Sequence, residues 1–420
     1  MKTIEKCKVR LLSRFPALKH QNFRCFLAGQ SLSLIGTWMQ RAAQQWVVYQ
    51  LTKSPLILGL VGVCQFTPML LFSLFAGVLV DRFPKKQFLI VTQSLQMLQA
   101  FILAGLLWTG RIEYWHILIL AGFLGLTNTF DMPTRQSFFI ELVGREDLVS
   151  AIGLNSTIVN GARILGPALA GLFLSTFGAI ACFLFNGFSF IAVLIGLFFI
   201  QSYTVTIRAK EQNVFADIVD GLKYLFSKRI LADTVVIFLI MGITAMNSDI
   251  LIPVFAQETF DLEAGGYSLM LSAMGIGSLL GSLWFAGRKE TGFRGGHLYY
   301  KALMLAVFLI VTGTMRSYYL ALVGLAGIGL CNMIFMATVN STIQLNTSDT
   351  YRGRAVSVYT MIMNGMTPIG NLGTSLINQN YGPENSFLIC GLLSLLSVLI
   401  LLLLRRKTAK LTESSVNGLS

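Results

Sequence analysis

Five ionisable side chains stand inside otherwise apolar stretches: Arg41, Asp131, Arg135, Arg163 and Asp249. A charge at such a depth is costly if it faces lipid, so each is expected to serve a cavity, a partner or a gate. The chemistry open to them is proton carriage by a carboxylate and opening or closing by an ion pair. Arg41 and Asp249 each lie about 25 Å from the start of their stretches at 1.5 Å per residue. They are expected to form a gate; the alternative is that they sit on separate faces, each satisfied by Gln or backbone groups. Asp131 and Arg135 are one helical turn apart and can pair along one face. For them a purely structural ion pair stays open beside a coupling role. Polar candidates for a substrate path are Trp38, Gln44, Gln45, Gln65, Asn332 and Asn364, while Trp46 suits an interfacial anchor equally well.

Other chemistries find no support in the residue pattern. His20, His116 and His297 are widely separated, so neither a metal cluster nor a catalytic triad is expected. No GxxxxGK[ST] run exists for ATP, and Gly275-Ile-Gly277-Ser-Leu-Leu-Gly281 misses the dinucleotide spacing. The expectation is a protein without enzymatic activity, cofactor or metal. None of the six cysteines forms a CxxC pair, which predicts packed or reduced thiols.

The elements that must position these residues are long apolar helices. Hydrophobic residues make up 54% of the 420-residue chain and charged residues only 12%. Mean hydropathy is +0.68. Apolar runs of about 20 residues recur from end to end, each long enough to cross a hydrocarbon core. Only helices or closed barrels satisfy their backbone in lipid, and these runs are too long and too uniform for strands. Twelve spans are predicted: 24–50, 56–80, 87–109, 115–138, 149–175, 179–201, 232–256, 265–286, 298–315, 318–342, 354–378 and 385–404. The net charge of +13 does not point to nucleic acid, because nearly all Lys and Arg fall in alternate connections. Segments 1–23, 81–86, 139–148, 202–231, 287–297, 343–353 and 405–420 hold them, which places both termini in the cytoplasm. No removable signal peptide is evident.

The domain plan follows. A cytoplasmic segment 1–23 precedes a six-helix bundle over 24–201. The polar stretch 202–231 divides the chain and carries Phe215, Ile218, Val219 and Leu222 on one helical face, as expected of an amphipathic helix on the membrane surface. A second bundle over 232–404 and a tail over 405–420 complete the plan. An offset of 204 residues relates the halves: Asn128 to Asn332, Ser137 to Ser341, Ala151 to Ala355, Asn160-Gly161 to Asn364-Gly365, Gly166 to Gly370 and Gly178 to Gly382. A duplicated bundle places a substrate site between its halves near the midplane.

Two motifs carry a family resemblance. Gly77-Val-Leu-Val-Asp81-Arg82-Phe-Pro-Lys85-Lys86 joins the second and third spans, and its decayed copy runs from Gly281 to Lys289, with Phe285 and Ala286 where Asp81 and Arg82 stand. It resembles the loop signature of the major facilitator superfamily of transporters. The resemblance implies a cytoplasmic latch at Asp81 and Arg82; a solvated turn is the alternative. Asn160-Gly-Ala-Arg163-Ile-Leu-Gly166-Pro167-Ala-Leu-Ala170-Gly171 resembles the antiporter motif of the exporting branches, with Ala170 in place of one glycine. Gly166 and Ala170 also form a small-xxx-small face that serves ordinary packing, as Gly277 and Gly281 do. Gly36-Thr-Trp-Met-Gln40, Trp46 to Pro55, Phe130 to Ser137 and Leu154-Asn-Ser156 are similar to the branch of enterobactin exporters and macrolide efflux pumps. The resemblance covers roughly residues 20–400. It implies an all-α major facilitator fold of twelve helices in two pseudo-symmetric halves. It further implies a monomer in a bacterial inner membrane that exports a siderophore or drug-like molecule against protons, with Asp249, or as second choice Asp131, taking the coupling proton. Uptake or another coupling ion is the alternative within transport; a membrane sensor or lipid-handling protein is the alternative outside it.

Overall fold

The computed structural model describes residues 15–81, 83–144, 146–200, 214–286, 296–348 and 351–417. Helices dominate, and no strand occurs among the described residues. A 3-10 turn, Pro16–Lys19, leads into α1 (Gln21–Thr52), α2 (Pro55–Asp81), α3 (Lys85–Trp108), α4 (Tyr114–Val143), α5 (Leu148–Thr176) and α6 (Gly178–Phe199). Further along the chain come α7 (Val214–Ser227), α8 (Arg229–Thr244), α9 (Ser248–Val254) with a π-turn at Phe255–Thr259, α10 (Ala264–Ala286), α11 (Gly296–Gly313), α12 (Tyr318–Asn346) and α13 (Arg352–Asn417). The last is two helices joined at Gly382, whose backbone is not helical. With the short α7 left out, α8, α9 and the π-turn taken as one and α13 as two, twelve long helices stand among the described residues. Among the described residues, nine segments are long and apolar enough by themselves to cross a membrane. Helix α1 falls short because Gln30, Gln40, Arg41, Gln44 and Gln45 dilute its apolar content.

The seventh span differs from the uninterrupted run expected. It breaks at Ala245–Asn247 and restarts at Ser248. Asn247 turns its amide back onto the Ile243 carbonyl at 2.7 Å, satisfying one helix-end acceptor. In membrane transporters generally, discontinuous spans are where ion and substrate groups bind.

The chain divides into two compact units, one holding residues to Lys53, 60–214 and 264–268, the other 54–59, 215–263 and the rest. In the first, α1 packs on α5 and α6, and α3 on α4 and α6. In the second, α11 packs on α12 and α13, and α8 on α13. Lipid tails are as apolar as leucine, so close backbone approach drives these contacts rather than water exclusion. Gly166 shows it: a Cβ there would strike the Trp38 Cβ and stand 3.0 Å from the Met39 amide. Gly370 does the same for α13, where a Cβ would stand 3.0 Å from the Gly242 carbonyl oxygen. Both glycine and partner are 204 residues apart. Gly178 and Gly382 share the register too, each with φ of 78°, a conformation that disfavours side chains. Gly277 and Gly281 of α10 meet the α12 backbone at Ala326 and Leu330, which is the packing role expected of them.

Aromatic packing fills one end of the first unit. Phe23 and Phe26 meet Phe138 and Phe139 edge to face at 5.5–6.0 Å, the geometry ring quadrupoles favour. Nearby, His20 Nε2 lies 2.8 Å from Asp147 Oδ2, which ties the start of α1 to the start of α5.

Helix α7 docks on the rest of the second unit. The Tyr224 ring stacks on Tyr351 at 4.2 Å and 6°, and the Ser348 amide donates to the Tyr224 hydroxyl at 3.0 Å. Asp220 approaches Arg354 at 3.8 Å. Hydrogen bonds with Lys228 and then Ser348 hold the Tyr224 phenol down at about 8, against about 10 for free tyrosine. The fold therefore favours tyrosinate, and α7 docking gains as pH rises from below about 8 towards 10. Ultraviolet difference titration should show one tyrosine ionising with a midpoint about two units below the others, and Tyr224→Phe should remove it. A wild-type titration with all tyrosines near their ordinary value contradicts this.

Candidate functional site

Four of the five intramembrane charges singled out by sequence, all but Asp249, fall into two constellations in the first unit. The first centres on Trp38. The Arg41 guanidinium sits 5.2 Å from its ring centroid and the Arg163 guanidinium 5.0 Å from the same centroid. Arg41 also lies 5.3 Å from the Phe66 ring. Arginine over an aromatic face gains about 0.5–2 kcal/mol, more when desolvated. The geometry follows from local structure: Gly166 admits the Trp38 backbone, and Arg163 stands one turn before Gly166 on the same helix. The antiporter-like stretch thus has a definite physical effect, which is to bring an arginine of α5 onto the tryptophan of α1. Pro167 lies inside α5 without breaking it, while Ala170 and Gly171 are buried. A Cβ at Gly171 would stand 2.6 Å from the Ser268 carbonyl oxygen.

The second constellation is a buried polar chain. Asp131 is 1% exposed. Its Oδ1 accepts from Thr92 Oγ1 at 2.8 Å and Gln93 Nε2 at 2.7 Å, and its Oδ2 pairs with Arg135. From there the chain continues along α3. Gln96 donates to Asn128 at 3.2 Å, and Gln99 accepts from Gln40 at 3.0 Å. Gln40 in turn accepts from Asn186 Nδ2 at 2.8 Å. Sequence reasoning missed Gln40, Gln93, Gln96, Gln99 and Asn186 as a set. The signal was available: Gln93-x-x-Gln96-x-x-Gln99 puts three amides on one face of an apolar helix. A similar signal was missed on α13, where buried Asn371, Ser375 and Asn378 recur at i, i+4, i+7.

The loop motif has a legible basic end. Lys85 Nζ donates to the Val80 carbonyl at 2.6 Å, closing the end of α2. Lys86 Nζ donates to the Ile200 carbonyl at 2.6 Å and the Phe198 carbonyl at 3.3 Å, closing the end of α6. Each cation meets the negative end of a helix, worth about 0.3–1 kcal/mol. Arg82 lies outside the described residues, as do the surroundings of Gly77 and the side chain of Asp81.

The remaining candidates are dispersed. Gln44 and Gln45 are buried in α1. The Gln65 carbonyl meets Gly125 where α2 and α4 cross. Asn332 and Asn364 are half-buried in the second unit. Asp249, also half-buried, stands in the first turn of α9, where the helix end favours a carboxylate. Among the described residues no group of three or more metal-ligating side chains forms.

Long apolar helices in two compact units, with arginines clustered on a tryptophan of the first, match the architecture of a major facilitator transporter. Solved structures agree on the fold. The nucleoside transporter NupG superposes with a TM-score of 0.71 at 12% identity, covering 90% of this chain and 98% of that one. A D-xylose-proton symporter superposes at 0.63 and 14%, covering 89% and 96%. Residues 12–417 match the profile of the family described as transmembrane secretion effector, and the chain belongs to that family. Sequence relatives are exporters and transporters. The staphyloferrin A transporter of Staphylococcus aureus is 25% identical over 94% of this chain and 99% of its own. The macrolide efflux protein A of Streptococcus pyogenes is 22% identical over 88% and 93%. The chain is thus a multi-pass membrane exporter of the major facilitator type, acting on a small molecule and not an enzyme.

Proposed function

We propose that this exporter is driven by protons, sits in a bacterial inner membrane with both termini cytoplasmic, and works as a monomer by alternating access. Its cargo is a siderophore or a drug-like organic molecule, as the names of its relatives suggest. The observation that carries the reading is the Trp38 cluster, where the antiporter-like helix delivers Arg163 to a ring already met by Arg41. An indole flanked by two cations suits an organic molecule bearing π or anionic groups. Gln44, Gln65, Asn332 and Asn364 are the proposed polar contacts along the path. Asp249 is the proposed proton carrier, Arg41 and Arg163 the gate cations, and Asp81 with Arg82 the inner latch. The proposed layout has halves over 24–201 and 232–404 and a cytoplasmic linker over 202–231.

Everted vesicles energised by proton pumping test this. Vesicles containing the chain should accumulate labelled staphyloferrin A or erythromycin above control vesicles, and an uncoupler should collapse the accumulation. In the parent cells, single cysteines at 258–263 should label from outside and those at 202–231 should not. Accumulation that ignores the uncoupler removes the proton, and the reverse labelling pattern removes the topology.

A further inference from the structure

Helix α13 carries a buried polar stripe whose groups the second unit leaves unpaired. Asn371, Ser375 and Asn378 recur at i, i+4 and i+7, within about 60° of arc on one helix face. They are 3%, 0% and 2% exposed. Yet Asn371 Nδ2, Ser375 Oγ and both polar atoms of the Asn378 amide have no hydrogen-bond partner among the described residues. Hydroxyls close by are paired. Thr374 Oγ1 meets Cys390 Sγ at 3.9 Å, and Ser394 Oγ meets Thr244 Oγ1 at 2.6 Å. Buried polar groups normally find partners, and those that do not call for a specific explanation.

The repeat supplies an internal control. In the register that relates Gly166 to Gly370 and Gly178 to Gly382, the three positions correspond to Pro167, Gly171 and Leu174 of α5. Gly171 and Leu174 are buried as well, so the same place in the fold is filled without a polar side chain. Packing therefore does not demand the two amides and the hydroxyl. What covers them is the start of α2, since residues 54–59 belong to the second unit. A Cβ at Gly59 would strike Ser375 Oγ and stand 3.0 Å from the Asn371 carbonyl oxygen. Glycine has no side chain to pair with the stripe, so this cover is steric only.

We propose that Asn371, Ser375 and Asn378 form a hydrogen-bonding subsite for neutral polar groups of the exported molecule, uncovered when the first turns of α2 withdraw. The proposal rests on the alternating access put forward above, which supplies the second arrangement. An amide both donates and accepts, and so does a hydroxyl. The stripe thus suits hydroxyls, amides and carbonyls, whereas the arginines at Trp38 suit π or anionic groups. Unmatched polar groups under α2 make the covered arrangement costly, and hydrogen bonds from the cargo satisfy them in the other.

Equilibrium dialysis of labelled erythromycin and of labelled staphyloferrin A against the purified full chain tests the site, with the tighter of the two as probe. Ser375→Ala should weaken binding about five-fold, as expected for one lost neutral hydrogen bond. Asn378→Leu, which installs the residue of its repeat mate, should weaken it at least as much. The thermal midpoint of both variants should stay at or above that of wild type, because an unpaired buried group is removed and no partner is stranded. A ligand site gives this combination of weaker binding and undiminished stability. Ser375→Cys should react with N-ethylmaleimide above the wild-type background, and saturating probe should slow the reaction. A lower midpoint in either variant overturns the proposal and assigns the stripe to the fold, with ordered water as its partner. A Ser375→Cys variant that never reacts overturns it too, since α2 then does not withdraw. Probe binding that ignores both substitutions overturns the subsite alone. A wild-type chain that binds neither molecule overturns the subsite together with the cargo reading.

Discussion

Asp249→Asn is expected to uncouple export from the pH gradient while leaving exchange intact. One proton per cycle couples about 1.4 kcal/mol per pH unit to the cargo, which supports an accumulation ratio of about ten per unit. With the carboxyl replaced by an amide, that ratio should fall to about one. Counterflow of labelled against unlabelled cargo needs no proton and should continue near the wild-type rate. The motivation is positional. Asp249 begins a short helix directly after the break at Ala245–Asn247, and the chain of a broken span can shift there without unwinding a whole helix. Protonation would change the preference of this segment between two arrangements, which is what coupling requires. If Asp249→Asn still accumulates cargo in proportion to the pH gradient, the proton is carried elsewhere. Arg41→Gln supplies the companion measurement, since loss of a gate cation should raise leak of cargo rather than remove the pH dependence.

Much of the plan was legible because duplication leaves a register. Gly178 and Gly382 mapped onto each other at 204 residues, and both occupy the same left-handed conformation. Gly166 and Gly370 mapped likewise, and each is a point of closest helix approach. Such positions are readable since only one residue type fits them. What was hidden depends on distant partners. The lysines that close the loop motif cap α2 and α6, and the carbonyls of Phe198 and Ile200 lie more than a hundred residues away from Lys86. The break in the seventh span was hidden for another reason: the apolar run continues through it, and only Asn247-Ser248-Asp249 marks the place. Arg41 and Arg163 were singled out as intramembrane charges, but their meeting on one ring needs the α1–α5 crossing that Gly166 permits.

Asp131 separates structure from coupling, and its expected behaviour is opposite to that of Asp249. Both its oxygens are committed, one to Thr92 and Gln93, the other to Arg135. A fully bonded, buried carboxylate opposite a cation favours the structural ion pair over a proton carrier. Asp131→Asn keeps the shape and leaves Oδ1 able to accept, but it turns an amide donor towards the Arg135 guanidinium. Breaking a buried pair on one side costs about 3–5 kcal/mol, so the thermal midpoint of the purified protein should fall by several degrees. Removing the second charge as well should recover most of the loss. Asp131→Asn with Arg135→Gln is therefore expected to be more stable than Asp131→Asn alone, with an interaction energy of about 1–3 kcal/mol across the cycle. The residual transport of the double variant should keep its full dependence on the pH gradient. A single variant that melts like wild type yet loses that dependence would transfer the coupling role from Asp249 to Asp131.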